Sequence, residues 1–559
     1  MVLSDQQLML LEQLTYMEDV FTNEYQGELS IVLPENASNL GQYVDTITQN
    51  PEAMKMLREK GGDFTSGEEW SAILDAISKD EDLRRLVPHD KNASVYAQSF
   101  RDPDDPTKGV VIFKGTADAY EWDDDVRGLN MADTPSQIDA RNYIEGLPFD
   151  SITVAGHSKG GNKAQYVTIV SDKVDYCVSM DGQGFSQEFM DKYWAEIGEK
   201  GKLIKNYSLD ADYVHILLFP VPGAEQIFIA SDPNDRGIQN HSPSNLLSYE
   251  LDENGNLCVK IVDGNPWLDI VPNELPSITY LRQLTYFVIN TGTDEQKQQL
   301  VELIGPVLAV AMCGYYEYEG VVYTADNILD YIVSKPEAIA ILIAFLTKYI
   351  EVYKLDGEKV NGILEAFGMF LNFKGGEQLL NILSEIVRFV LGNLGDMETD
   401  KVLEGVLALL SDLLREKFGV DLDLVAVWQQ AEQVYGQIQV HDPDSANQPT
   451  QVRKDKIRDF SQNVYDTIMG TIDKVGELTY DSVSQWSAYE TESWYDDLSI
   501  RAFKTGISNY YQGLSDINAT CKTSIEKIFT EAGRLDGLYA NKIMEFTTQV
   551  NSAKNEFLK

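Results

Sequence analysis

The chain has 559 residues, enough for two to four domains, and its 43% hydrophobic content at a mean hydropathy of −0.25 allows a sizeable core. Acidic side chains outnumber basic ones 89 to 45, giving a net charge of −44 and a pI near 4.3, which argues against binding nucleic acid or an anionic membrane by charge attraction. The charge is uneven: residues 451–559 carry 16 acidic and 13 basic side chains, net −3, and the first 450 residues carry net −41.

Residues 3–25 read as an amphipathic helix with Leu8, Leu11, Leu14 and Met17 on one face. The first twenty residues hold Asp5, Glu12, Glu18 and Asp19 and lack a basic start and apolar core, so no signal peptide is expected. Residues 54–86 look helical around Trp70, Ile73, Leu74 and Ile77. Residues 95–100 alternate like a strand, and the turn Asp102-Pro103-Asp104-Asp105-Pro106 follows. A more buried strand over 109–113 runs into Lys114-Gly115-Thr116, and 136–146 fits a helix. Residues 151–155 are a β-branched apolar run, a buried strand. Gly156-His157-Ser158-Lys159-Gly160 then fits G-x-S-x-G, with a helix continuing over 162–170. Further strands are expected at 174–180 and 203–209, and a last one at 226–230. Strands alternating with helices predict an α/β domain over residues 1–265, with a mainly parallel sheet covered on both faces.

Residues 266–440 read as apolar helices, among them 300–315, 336–352, 378–394 and 402–418. The longest uncharged run, 303–316, has 14 residues and contains Gly305-Pro306, short of the ~20 a membrane span needs. This region is expected to pack on the α/β domain, or in a sharper form to cap it as a lid. Residues 441–454, beginning with the polar, proline-containing stretch from His441 to Pro449, read as a linker. In residues 455–559, Ile457, Phe460, Val464 and Ile468 begin an apolar stripe, and Phe503, Ile507, Tyr510, Leu514, Ile517 and Cys521 continue it in steps of four and three. That is a heptad-like seam, suited to an elongated all-α domain that folds back as a hairpin or offers its face to partner helices. Cys177, Cys258, Cys313 and Cys521 are too far apart to suggest a metal pair or a disulfide framework.

The chemistry centres on Ser158. A tight strand-to-helix turn lifts the hydroxyl out of the sheet, flanking glycines remove Cβ atoms that would collide, and the helix N-terminus directs positive potential at the site. A plain Gly/Ser loop between a strand and a helix is the bland alternative. A serine nucleophile needs a base. Of the five histidines, His89 precedes the serine, His157 lies inside the turn and His441 in the linker. His241, in the polar loop Asn240-His241-Ser242-Pro243, is the favoured base; His215 sits in an apolar run and reads as a satisfied core residue. Asp212 is the favoured acid at the end of a strand, with Asp210 and Asp181 as alternatives. The oxyanion donors are the backbone N–H of Lys159 and the backbone N–H and hydroxyl of Thr116. Asp123-Asp124-Asp125 and Asp232-Pro233-Asn234-Asp235 offer oxygen to Ca²⁺ but lack EF-hand spacing, so they read as solvated acidic loops and no cofactor is required.

Phe113-Lys114-Gly115-Thr116 with Trp122 and Asp125 resembles the Phe-Arg-Gly-Thr…Trp…Asp segment of class 3 lipases. The Gly156 to Asn162 stretch resembles the elbow of a lipase-like α/β-hydrolase family long listed as a domain of unknown function, and Asp212-Tyr213-Val214 resembles the Asp-x-Val carrying the lipase acid. Lys114 and Lys159 stand where class 3 lipases usually have Arg and Leu, which leaves substrate preference open. The match covers about the first 250 residues. The tail resembles the helical targeting domain of LXG-type effectors of the Gram-positive type VII system, in reverse arrangement after the enzyme. Together these imply a secreted serine lipase or phospholipase toxin, helical WXG-like partners on the tail and an immunity protein in the producer. A small-ester carboxylesterase or thioesterase, or a scaffold with a vestigial hydrolase domain, are the alternatives.

Overall fold

The computed structural model describes residues 3–22, 38–60, 65–92, 94–116, 131–232, 237–369, 422–440 and 443–447, with isolated positions at 121, 124, 125, 128, 407, 408, 411 and 415. The readings placed on Trp122, on residues 378–394 and on the C-terminal domain 455–559 lie outside the described residues.

Strands β1 (Val87–Asn92), β2 (Ala97–Arg101), β3 (Lys108–Phe113), β4 (Ser151–His157), β5 (Val174–Met180), β6 (Ile204–Leu209) and β7 (Glu225–Ile229) lie side by side in chain order. Four short strands follow, β8 (Tyr249–Leu251), β9 (Leu257–Val259), β10 (Ile261–Val262) and β11 (Asn265–Pro266). β12 (Ile270–Val271) then pairs with β7 and completes an eight-stranded sheet. β3 through β7 run parallel; β1, β2 and β12 are antiparallel to their neighbours.

Successive strand residues point to opposite faces, and the two faces have different partners. Val110, Ile112, Val178, Met180, Tyr207 and Leu209 join one core with the helices Asp5–Thr22, Leu40–Thr48 and Gly67–Lys79. Val111, Phe113, Val154, Cys177 and Ile204 join the other with the crossover helices Pro135–Gly146 and Lys159–Val170. The strand order explains the division. The parallel strands step steadily in one direction, so right-handed crossovers all land on one face. The N-terminal helices cover the other.

Two expectations change, and one strand is added. Residues 54–86 are not one helix but parts of three, Pro51–Lys60, Gly67–Lys79 and Glu81–Arg85. Ser66 opens the second with a reciprocal capping box to Glu69, and Asp80 caps the third by accepting the Leu83 N–H. Residues 226–230 are not the last strand, because β12 lies beyond them, and beyond residue 265. β1 was invisible in the sequence: Val87-Pro88-His89-Asp90-Lys91-Asn92 does not alternate and contains proline, which an edge strand tolerates.

The helices Pro276–Thr291, Asp294–Cys313, Ile328–Val333, Pro336–Tyr353, Gly357–Met369 and Leu424–Gln437 supply a third core around Phe287, Phe345 and Tyr349. The uncharged run 303–316 is divided by Gly314, left-handed at φ 80°, between the end of a helix and a hairpin of β13 (Tyr315–Tyr318) and β14 (Val321–Thr324). No described helix is long and apolar enough to cross a membrane. Tyr286 of the Pro276–Thr291 helix is buried with its ring 5.4 Å from Phe219, which joins this region to the crossover face. Residues 443–446, expected within the linker, form a helical turn. The Ala446 carbonyl accepts from Asn290 Nδ2 at 2.9 Å, and the Pro443 carbonyl from the Tyr353 hydroxyl at 2.7 Å.

Candidate active site

β4 ends at His157 and a helix starts at Lys159, so the whole reversal falls on Ser158, at φ 57° and ψ −123°. A non-glycine residue held there is strained. Its N–H is anchored to the Met180 carbonyl at 2.8 Å. The glycines around it are steric necessities. A Cβ on Gly156 would lie 2.4 Å from the Gly160 backbone, and one on Gly160 would lie 2.0 Å from the Phe113 carbonyl oxygen. The Ser158 side chain is half-buried and makes no hydrogen bond among the described residues.

Asp212 follows β6 and is fully buried. Its Oδ2 accepts the backbone N–H groups of Val214 at 3.0 Å and His215 at 2.8 Å, and bonds His215 Nδ1 at 2.8 Å. Its Oδ1 bonds His241 Nδ1 at 2.7 Å. Burial alone would raise the Asp212 pKa, but His241 and His215 outweigh it and hold the carboxyl far below the usual range. His241 ends a short 3-10 helix, Gly237–His241, and is buried. Its Nδ1 is committed to Asp212, and its Nε2 has no hydrogen-bond partner among the described residues. The two alternative acids make other hydrogen bonds, although Asp181 offers an oxygen within 4.8 Å of a ring nitrogen of His241. Asp210 Oδ1 accepts the Ser231 N–H at 2.9 Å, and Asp181, at φ 47°, accepts the Leu209 N–H at 2.9 Å.

His215 is not a lone core histidine. Its Nε2 bonds Glu274 Oε2 at 3.1 Å, and Glu274 Oε1 accepts from Arg282 Nε at 2.9 Å. Burial pulls the His215 pKa down, but carboxylates on both ring nitrogens outweigh it and raise it above 6.5. Sequence reading missed this extension because Glu274 and Arg282 come some sixty residues later with no local motif.

The loop after β3 lies against the serine. A Cβ on Gly115 would be 3.2 Å from Ser158 Cβ. The Gly115 N–H donates to the Tyr16 hydroxyl at 3.1 Å, and that hydroxyl lies 2.8 Å from His157 Nδ1. Tyr16 belongs to the first helix and carried no sequence signal for this place. The Thr116 hydroxyl donates to Asp125 Oδ2 at 2.9 Å. The Lys159 ammonium turns inward and pairs with Asp124 at 2.7 Å and Asp125 at 2.8 Å. Burial works against the charge on Lys159, but the two carboxylates more than compensate and raise its pKa. Asp124 is therefore buried, not part of a solvated loop, and it also accepts from Ser136 N at 3.0 Å. Cys177 is no rival nucleophile, since burial pushes its thiol up to about 12.

The structure thus gathers Ser158, Gly115 and Thr116, and Lys159 at one end of the parallel strands, and joins Asp212 to His241. Residues 82–252 match the Mbeg1-like family, a lipase-like family. On a mainly parallel α/β sheet, that match points to a hydrolase. No curated protein and no solved structure matches the chain.

Proposed function

We propose that the chain is a serine acyl-ester hydrolase acting on glycerolipid or phospholipid esters. The Asp212–His241 hydrogen bond carries this reading. At 2.7 Å it fixes the imidazole and leaves its second nitrogen without a hydrogen-bond partner among the described residues, which is the state a general base requires. In this mechanism His241 Nε2 takes the Ser158 proton as the oxygen attacks the ester carbonyl. Asp212 stabilises the imidazolium that forms. The backbone N–H groups of Lys159 and Thr116 receive the oxyanion, the Thr116 hydroxyl being committed to Asp125, while the inward-turned Lys159 side chain holds that turn in place. His241 then protonates the leaving alcohol, and water releases the acyl group by the reverse sequence. Bonds between nucleophile and base are commonly loose without substrate and tighten in the complex.

The lipid preference is supported by the lipase-like family match. Export by a type VII route, WXG-like partners, an immunity protein and a toxin role rest on the tail and belong to the same proposal. The decisive experiment is hydrolysis of phospholipid vesicles by the wild type and by Ser158→Ala, with and without Ca²⁺, resolving fatty acid from lysolipid. Fatty-acid release by the wild type alone supports the reading. Turnover of a short soluble ester without release from vesicles replaces it with a small-ester carboxylesterase, and an unchanged rate in Ser158→Ala overturns the mechanism.

A further inference from the structure

Three buried side chains gathered in one place each have an atom without a hydrogen-bond partner among the described residues. They are His157 Nε2, Asp181 Oδ2 and His241 Nε2, on residues 2%, 0% and 2% exposed. A buried polar atom is normally hydrogen-bonded, and three orphans gathered in one place call for a common partner. One ligand atom from each residue lies within 4.8 Å of the others, with His157 Nε2 and Asp181 Oδ2 3.9 Å apart. The two imidazole rings are 4.6 Å apart.

We propose that His157, Asp181 and His241 form a site for a divalent first-row metal ion, with zinc the ion the donors fit best. Two imidazole nitrogens and one carboxylate oxygen are a borderline-soft set that suits zinc and disfavours Ca²⁺ or Mg²⁺, which take oxygen. Ligands on a tetrahedral zinc stand about 3.3 Å apart, so the His157–Asp181 pair closes by roughly half an ångström on binding. Each ligand is also held from behind, as metal ligands are. His157 Nδ1 is 2.8 Å from the Tyr16 hydroxyl, His241 Nδ1 is 2.7 Å from Asp212, and Asp181 Oδ1 accepts the Leu209 N–H at 2.9 Å. A hydrogen on each Nδ1 leaves each Nε2 the lone pair that a metal takes. His215 is no competitor, because both its nitrogens are bonded to carboxylates.

The site has a functional consequence, which rests on the proposed hydrolysis. His241 Nε2 cannot bind zinc and accept the Ser158 proton at once, so zinc occupancy and turnover exclude each other. Zinc is then a reversible inhibitor that seals the base.

The test uses the full chain and Zn²⁺ in competition with a chromogenic chelator, for wild type, Ser158→Ala, Asp181→Asn and His157→Gln, each checked for native circular dichroism. One zinc per chain is expected for wild type and Ser158→Ala, with at least tenfold weaker binding in Asp181→Asn and His157→Gln. X-ray absorption of the loaded wild type should show two imidazoles and oxygen around zinc. Ester hydrolysis by the wild type should fall with zinc and recover with chelator, and Asp181→Asn should need at least tenfold more zinc. Equal affinity in all four proteins, or no zinc retained by the wild type, overturns the site. Zinc binding with this pattern, in a protein that hydrolyses no ester when zinc-free, sustains the site and removes the hydrolase reading. Hydrolysis by a protein that binds no zinc does the reverse.

Discussion

Asp212 holds His215 with the carboxylate oxygen that His241 leaves unused, at 2.8 Å, so one buried acid serves two imidazoles. His215 is in turn held by Glu274, and this raises its pKa above 6.5. A raised histidine stabilises the fold fully below its unfolded pKa and loses that stabilisation as pH rises through the folded value. Wild-type stability should therefore decline as pH climbs above about 6.5, and His215→Gln should flatten that part of the curve. At pH 6 the substitution should cost about 2 kcal/mol, the scale of a charged buried hydrogen bond. Urea unfolding across pH 5 to 9 measures both.

Ser158 sits in a backbone region that glycine occupies without strain. Ser158→Gly should raise the unfolding free energy by about 1 kcal/mol while removing all hydrolysis. Denaturant titration beside an ester assay checks this. A destabilised variant would show that the surroundings, and not the residue's conformation, set the local energy.

Gly160→Ala should do the opposite. Its methyl would lie 2.0 Å from the Phe113 carbonyl oxygen, an atom of the central sheet with no freedom to retreat. A loss of about 3 kcal/mol or more is expected, seen as a lowered urea midpoint.

Asp124→Ala removes one of two carboxylates from an ammonium that is 1% exposed. Breaking such a buried pair costs about 3 kcal/mol. Burial works to raise the Asp124 pKa, but Lys159 outweighs it and lowers it below 3.8. The wild-type contribution is therefore present above about pH 4 and lost as pH falls through the lowered value. The gap between variant and wild type should be full at pH 7 and shrink toward pH 3 in parallel unfolding curves.

What could be read from sequence was local. The strands 109–113, 151–155 and 174–180 announce themselves by apolar, β-branched runs, and the turn at Ser158 by glycines whose missing Cβ atoms the backbone requires. The choice of His241 and Asp212 rested on order along the chain, and the two are hydrogen-bonded. Tyr16, Glu274 and Arg282 reach the site from distant parts of the chain, so no spacing marks them. Asp124 and Asp125 looked like a solvated run because sequence does not show that Lys159 turns inward. The first helix announced its buried face through Leu8, Leu11, Leu14 and Met17, but not which surface it would cover.

That helix sets a timetable. Asp5 bonds Tyr176, Lys205 and Tyr207, the last of which leaves the ribosome about 200 residues later. At 5–20 residues per second, synthesis of that stretch takes roughly 10–40 s. Until β3 and β4 are made, the apolar stripe of Leu8, Leu11 and Leu14 has no sheet to lie on. The loop that must close is long, which slows docking, and the nascent chain carries an uncovered greasy helix that a holdase can grip. Tyr16 rides on the same helix, so the contacts to Gly115 and His157 form only when this late docking is complete. Until then the site around Ser158 is unfinished.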